Sequence, residues 1–158
     1  MKKLFTLLVC CSLSVPSFGV DWIKDRTYIS PSYGMLGINY DLGYHYTDSI
    51  KILFGFVAKP VISEWVLDVV LAAKLRYHYK FESTDITPYV TFGAGGGIKA
   101  SLLMPRGQQT DVEKFFSYQI DAGINLPLSE VTNLFVGYKL QKFRELLHGV
   151  EFGMSFNL

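Results

Sequence analysis

The last eleven residues of the chain, His148 to Leu158 (HGVEFGMSFNL), alternate between two kinds of side chain. The odd-numbered positions are small or polar and include the carboxylate of Glu151, and the even-numbered positions are all apolar: Val150, Phe152, Met154, Phe156 and Leu158. A repeat of two residues is typical of a β-strand, because successive side chains point to opposite faces. The stretch therefore predicts a strand with one apolar and one polar face, running to the last residue.

The same alternation recurs over almost the whole chain. It predicts seven strands, at Leu36–Tyr46, Ile50–Lys59, Leu67–Lys80, Pro88–Leu102, Phe116–Leu126, Leu134–Gln141 and His148–Leu158. The stretch Trp22–Tyr33 has a poorer pattern and contains Pro31, but we assign it as the first strand, because an even number returns both chain ends to one side. The prediction is an all-β fold, an eight-stranded antiparallel up-and-down barrel.

The beginning of the chain has the features of a secretory signal peptide. Two lysines precede an apolar run, Leu4–Val15, and small residues stand at Ser17 and Gly19 before the predicted cleavage site. We therefore expect a signal peptide at 1–19 and a barrel domain at 20–158. Both cysteines of the chain lie inside this leader, so no disulfide is expected in the mature domain.

Charge and hydropathy exclude two classes of function for the mature domain. Without the two leader lysines, 13 basic and 14 acidic side chains remain, a balance that argues against nucleic acid as a partner. No run of 18 apolar residues follows the leader, so no transmembrane helix is predicted. An exported protein of nearly neutral charge fits the cell envelope.

The alternation also indicates which face of the barrel points outward. One face carries aliphatic and aromatic side chains, and the other mixes glycine with charges of both signs. An eight-stranded barrel has room inside only for side chains, and glycine relieves crowding there. Tyrosines gather at strand ends, where membrane barrels place aromatic girdles. A soluble lipocalin-like carrier is disfavoured, because Trp22 lacks the Gly-x-Trp context of that family. We therefore expect a transmembrane barrel with its apolar face toward lipid.

Particular motifs resemble those of a known family. Glu151-x-Gly153-x-x-Phe156-x-Leu158 is similar to the C-terminal insertion signal of outer-membrane barrels, except that Leu158 replaces the commoner phenylalanine. The mature chain as a whole resembles the opacity proteins and the transmembrane domain of outer-membrane protein A. That resemblance rests on the final strand and on four further motifs: Thr87–Val90 leading into Gly93-x-Gly95-x-Gly97, Phe116-x-Tyr118, Ala122-Gly123 and Val136–Lys139.

This resemblance implies a place in the outer membrane of a Gram-negative bacterium. The implied partners are outer-membrane lipid and the barrel assembly machinery, and the implied state is a monomer. Two roles remain open: a non-enzymatic structural component of the envelope, and an adhesin or surface antigen. The second role would use the polar loop Met104–Lys114 to bind a ligand on a host surface.

Enzymatic, metal and cofactor roles find little support in the sequence. A lipid-modifying barrel enzyme of the deacylase type carries a His-x-Ser pair, whereas none of the three histidines, His45, His78 and His148, has a serine two residues on. The glycine run FGAGGGIKA lacks the Lys-Ser/Thr pair and the helix of a phosphate-binding loop. No catalytic, metal or cofactor residue is predicted, and His45 and His78 are expected to face the lumen.

Charged residues on the inward face are expected to pair across neighbouring strands. Folding the hairpins about their turns sets Asp121 opposite Lys139, Lys139 opposite Glu151, and Asp68 opposite Lys99. Unpaired charges in a barrel interior are costly, so opposite charges in register predict a sealed polar core.

Overall fold

The computed structural model describes residues 26–61, 65–81, 84–101 and 112–158. These residues form eight antiparallel strands that close into a barrel, as the alternation predicts. The strands are β1 (Thr27–Gly34), β2 (Gly37–His45), β3 (Ile50–Val61), β4 (Val66–His78), β5 (Thr87–Ser101), β6 (Glu113–Pro127), β7 (Thr132–Lys142) and β8 (Leu146–Asn157). The described residues contain no helix long and apolar enough to cross a bilayer.

Each strand pairs with the next in the sequence, and β8 pairs with β1 to close the barrel. The start of β1 and the end of β8 lie at one end of the barrel, called here the terminal end, with the ends of β2, β4 and β6 and the starts of β3, β5 and β7. The other strand ends lie at the opposite end. Pro31 lies in β1, and the β1–β8 register has no partners at positions 30 and 31. Because proline has no N–H to donate, Pro31 accounts for this local gap in the pairing.

The apolar face points outward and the polar face inward. On the outer wall, large apolar side chains such as Phe54, Leu71 and Phe116 are 67%, 66% and 65% exposed. On the inside, Lys74 and Arg76 of β4 are each only 3% exposed. A water-soluble fold would have the reverse arrangement. The barrel thus has the inside-out polarity that the sequence predicts.

One part of the interior is apolar, which the sequence pattern does not predict. Near the opposite end, inward side chains form a buried cluster, called here the apolar plug: Leu36, Val57, Val70, Ala72 and Phe143. The partly buried Phe115 and Leu147 pack against it. The plug fills the barrel at this end with close-packed side chains, while the charged groups lie mainly between it and the terminal end.

The first hairpin departs from its predicted boundaries. The first strand is Thr27–Gly34, not Trp22–Tyr33, and residues 22–25 lie outside the described ranges, as does the predicted signal peptide at 1–19. Leu36, predicted to begin the second strand on the outward face, belongs to the two-residue turn before Gly37 and is 8% exposed inside the plug. Gly37 has a φ of 112°, a conformation that glycine adopts readily and that ends the alternation here.

Inward glycines make room for large side chains, and neighbouring Gly96 and Gly97 show this most clearly. A Cβ atom added to inward-facing Gly97 would collide with the ring of Phe115, whereas one added to outward-facing Gly96 would have nothing within 4 Å. We expect Gly97→Val to lower the free energy of unfolding by about 1–3 kcal/mol, as overpacking does. Gly96→Val should be nearly neutral. Urea unfolding of both variants in micelles checks this, and equal losses would contradict it.

Candidate functional site

The polar interior is the most distinctive chemical feature of the barrel. Among the described residues, four carboxylates and three cations are at most 8% exposed: Asp41, Asp68, Asp121 and Glu151, with Lys74, Arg76 and Lys139. Strand alternation puts them there, since all lie on the inward face. Burying a charge is costly unless it is paired and hydrogen-bonded, so the partners of each group determine whether the interior is stable.

Lys74 and Asp41 form the most deeply buried ion pair. Lys74 Nζ donates to Asp41 Oδ1 at 2.6 Å and to Asn39 Oδ1 at 3.0 Å. Asn39 Nδ2 also donates to Asp41 Oδ2 at 3.1 Å. The side chains of the pair are 0% and 2% exposed. Each oxygen of the Asp41 carboxylate thus has a donor, as a charged group excluded from water requires.

Asn39 connects this pair to a second one. Its Nδ2 lies 3.1 Å from the Oγ of Ser32, which donates to Glu151 Oε1 at 2.5 Å. Glu151 in turn forms an ion pair with Lys139. A chain of polar contacts therefore runs from β4 through β2, β1 and β8 to β7, across the seam where the barrel closes.

Arg76 is the centre of another polar group. Its Nε donates to Thr91 Oγ1 at 2.8 Å, and its guanidinium lies 4.4 Å from the ring centroid of Tyr89. Asp121 Oδ1 is 3.8 Å from Arg76 Nη2, and Gln119 Nε2 donates to Asp121 Oδ2 at 3.0 Å. Charge, hydrogen bonding and aromatic stacking together hold the guanidinium inside the barrel.

The structure brings the predicted charges together, with one error of register. Asp121 lies opposite Lys139 in the β6–β7 register. Lys139 lies opposite Gly149, not opposite Glu151, so the predicted β7–β8 register is wrong by two residues. The connection is three residues long, Phe143–Glu145, because Phe143 N bonds Glu145 O in a tight turn. Lys139 nevertheless reaches Glu151, since the long side chain spans the offset.

The third predicted pair has an additional partner. Asp68 lies opposite Lys99 in the β4–β5 register, as the hairpin construction places it. Asp68 Oδ2 also lies 3.7 Å from Nη2 of Arg144, which belongs to the turn between β7 and β8. Sequence reasoning missed Arg144, Asn39, Ser32 and the Asp41–Lys74 pair. The Asp41–Lys74 and Asp68–Arg144 contacts join parts of the barrel that are not neighbours, and the Ser32–Glu151 contact crosses the β1–β8 seam, so these contacts depend on closure of the barrel.

The predicted insertion residues lie on β8 with different surroundings. Glu151 is buried inside, whereas Leu158 is 41% exposed at the terminal end. Phe156 pairs with Ile29 of β1, and Leu158 N donates to Thr27 O at 2.9 Å. Gly153 lies where a Cβ atom would collide with Ser32 and with the ring of Phe135. The end of β8 therefore completes the closing seam, while its role as an insertion signal stays a prediction.

The histidines and the glycine run form no recognisable reaction centre in the described part of the chain. His148 Nδ1 bonds the hydroxyl of Tyr138 on the outer wall. His78 Nδ1 bonds Asn125 Nδ2 at 3.2 Å inside the barrel. No group of three or more His, Cys, Asp or Glu side chains among the described residues could hold a metal ion. The run FGAGGGIKA lies within β5 and not in a loop before a helix.

Two cavities in the barrel show how far the interior is filled. One, beside Asn39, Lys139 and Glu151, has a volume of about 10 Å³, roughly the space that one water molecule needs. The other, of about 200 Å³, opens at the terminal end and is lined by residues that include Lys51, Lys80 and His78. The apolar plug and the polar network lie between this second cavity and the opposite end, so they block the lumen.

Comparison with known proteins shows the fold. No protein-family model matches the sequence, and no curated protein matches it either. Among solved structures, the N-terminal β-barrel domain of Pseudomonas aeruginosa OprF matches with a TM-score of 0.67 at 15% identity, over 85% of this chain and 98% of that chain. Neisserial surface protein A, NspA, has a TM-score of 0.63 at 11% identity, over 84% of this chain and 94% of that chain.

A third solved structure is the outer membrane protein Ail of Yersinia pestis, with a TM-score of 0.55 at 12% identity, over 85% of this chain and 100% of that chain. At these identities the likeness shows the fold and not a shared activity. The chain has the fold of small eight-stranded outer-membrane barrels, which is the fold that its motifs resemble.

Proposed function

We propose that this protein is a non-enzymatic structural barrel of the outer membrane of a Gram-negative bacterium. The observation that carries the proposal is the inside-out polarity: exposed aliphatic and aromatic side chains cover the outer wall, while paired charges fill the interior. Such a surface is unfavourable in water and favourable in lipid. The blocked lumen supports a structural role over a channel.

In the proposed orientation the terminal end faces the periplasm and the opposite end faces outside. The partners are then outer-membrane lipid and the barrel assembly machinery, and the protein is a monomer, since closure leaves no strand edge unpaired. An adhesin would need the loop Met104–Lys114. Residues 104–111 of that loop lie outside the described ranges, and Glu113 and Lys114 belong to β6, so no described contact favours adhesion.

The proposal includes an insertion signal formed by Glu151, Gly153, Phe156 and Leu158. Deleting Phe156–Leu158 should leave the protein exported but unassembled, because the deletion removes both the predicted signal and part of the closing seam. Cell fractionation, with gel mobility before and after boiling, reports the outcome. Full-length protein is expected in the outer membrane with heat-dependent mobility, and the truncated form in the periplasm.

A matched control separates signalling from folding. Leu158→Phe keeps an apolar residue at the last position and creates the commoner terminal residue, so assembly should be normal. The truncated form is also refolded in micelles, where no assembly machinery is present. If it fails to fold there, the damaged β1–β8 seam alone accounts for the defect. Full-length protein in a water-soluble fraction, or normal surface display of the truncated form, would contradict the proposal.

A further inference from the structure

The cavity at the terminal end is lined by chemistry that the structural role does not use. It has a volume of about 200 Å³, and its walls include two lysines, two histidines, two asparagines and two aspartates. Since each water takes about 30 Å³, the cavity holds several waters, and a small polar solute fits in their place. In the proposed orientation it opens to the periplasm.

Lys51 is a half-buried lysine that lines this cavity, and no acidic partner for it lies in the described part of the chain. No carboxylate oxygen of the described residues lies within 4 Å of its Nζ, which lies over the ring of Tyr28, 4.7 Å from the ring centroid. Its neighbours across the strands are Arg76 of β4 and His45 of β2. This differs from Lys74 and Lys139, which each pair with a carboxylate.

The wall beside Lys51 is polar and held in place. His78 and Asn125 are 3% and 8% exposed, and they hydrogen-bond to each other at 3.2 Å. Asn125 Nδ2 can only donate, so His78 Nδ1 accepts and the ring is a neutral tautomer in this arrangement. The neutral ring carries no charge, so it neither neutralises nor repels the ammonium group of Lys51.

The two aspartates belong to the rim. Asp48 lies in the turn after β2 and Asp85 in the turn after β4, and both are exposed, as is Lys80. Salt screens exposed charges over about 8 Å at physiological ionic strength, whereas a half-buried charge is screened less. The rim therefore weakens the positive potential of Lys51 without cancelling it.

We propose that this cavity binds a small oxyanion, a carboxylate or a phosphate, with Lys51 as its principal charged contact. Both anions share the negatively charged oxygens that an ammonium group binds. One charge-assisted contact in a cavity open to water gives weak binding, with a dissociation constant of about 10–100 mM.

The test is an NMR titration of the folded barrel in a detergent without phosphate, at constant ionic strength. Inorganic phosphate and citrate are added in separate arms while the imidazole signals of His45, His78 and His148 are followed. We expect saturable shifts of His45 and His78 in at least one arm, which also identifies the anion. His148 lies on the outer wall, so its signal should not move.

Three variants make the test specific. Lys51→Met should weaken binding about tenfold or more, the loss expected for one charge-assisted hydrogen bond. Lys142→Met, which removes a cation over the ring of Tyr118 instead, should leave binding unchanged. Asp48→Asn should tighten binding, because it removes a repulsive charge from the rim.

Other results would overturn the proposal. They are shifts that do not saturate in either arm, shifts that follow ionic strength alone, and unchanged affinity in Lys51→Met. Should Lys51→Met fail to fold, Asn125→Asp tests the same site, because it places a carboxylate in the cavity wall that repels an anion. Binding must then be lost, and retained binding would reject the site.

Discussion

Replacing Lys74 by methionine is expected to lower the free energy of unfolding by about 3–5 kcal/mol, as removal of one partner from a buried ion pair does. The substitution keeps the length of the side chain but leaves the Asp41 carboxylate without its main donor, in an interior where the pair is 0% and 2% exposed. Urea unfolding of the barrel in micelles, followed by fluorescence and by heat-dependent mobility, measures the loss.

Two controls test whether the ion pair causes this loss. Asp41→Asn combined with Lys74→Met removes both charges, so the double variant should be more stable than the sum of the single losses predicts. Lys142→Met, a cation on the outer wall, should cost less than about 1 kcal/mol. Additive losses in the double variant would contradict the role assigned to the pair.

An arginine at Leu71 is expected to destabilise the barrel in lipid by about 2–4 kcal/mol, the cost of a basic residue on the lipid face at the bilayer midplane. Leu71 lies near the middle of β4 and is 66% exposed on the outer wall. On a water-soluble protein the same exposed substitution would be almost neutral, so the result separates a membrane barrel from a soluble one.

The matched control lies on the same face of the same strand. Tyr77→Arg places the new charge near the terminal end of β4, where the interface lowers the expected cost to about 0–1 kcal/mol. Both variants are measured by unfolding from lipid vesicles. Equal costs at Leu71 and Tyr77 would show that depth in a membrane does not determine the effect.

The alternation of side chains was sufficient to predict seven of the eight strands and, apart from Leu36, their faces. Along β4, every odd-numbered position from Leu67 to Tyr77 points outward and every even-numbered one inward. The side-chain period of a strand is two, so a shift of one residue would move every apolar side chain to the polar face. Hairpin turns are local, so the pairings of Asp121 with Lys139 and of Asp68 with Lys99 could be read from turn positions alone.

Features that depend on closure or on exact turn length could not be predicted in this way. The contacts from Asn39 through Ser32 to Glu151 cross the β1–β8 seam, which joins the two ends of the sequence. The β7–β8 register depends on a turn of three residues where five were expected. The apolar plug requires two turn residues, Leu36 and Phe143, to meet side chains of β3 and β4, and Leu36 reaches it from a tight hairpin turn.

Spin labelling along β4 shows whether the apolar face of this barrel contacts lipid. The mature domain predicted at 20–158 contains no cysteine, so single cysteines at positions 67–77 can be labelled in bilayers and their relaxation by oxygen and by a water-soluble nickel complex compared. If the apolar face contacts lipid, labels at Val69, Leu71 and Ala73 are accessible to oxygen, which partitions into lipid, and labels at Val70 and Ala72 are shielded from both reagents. Oxygen access at Val70 and Ala72 with nickel access at Leu71 would contradict lipid contact by this face.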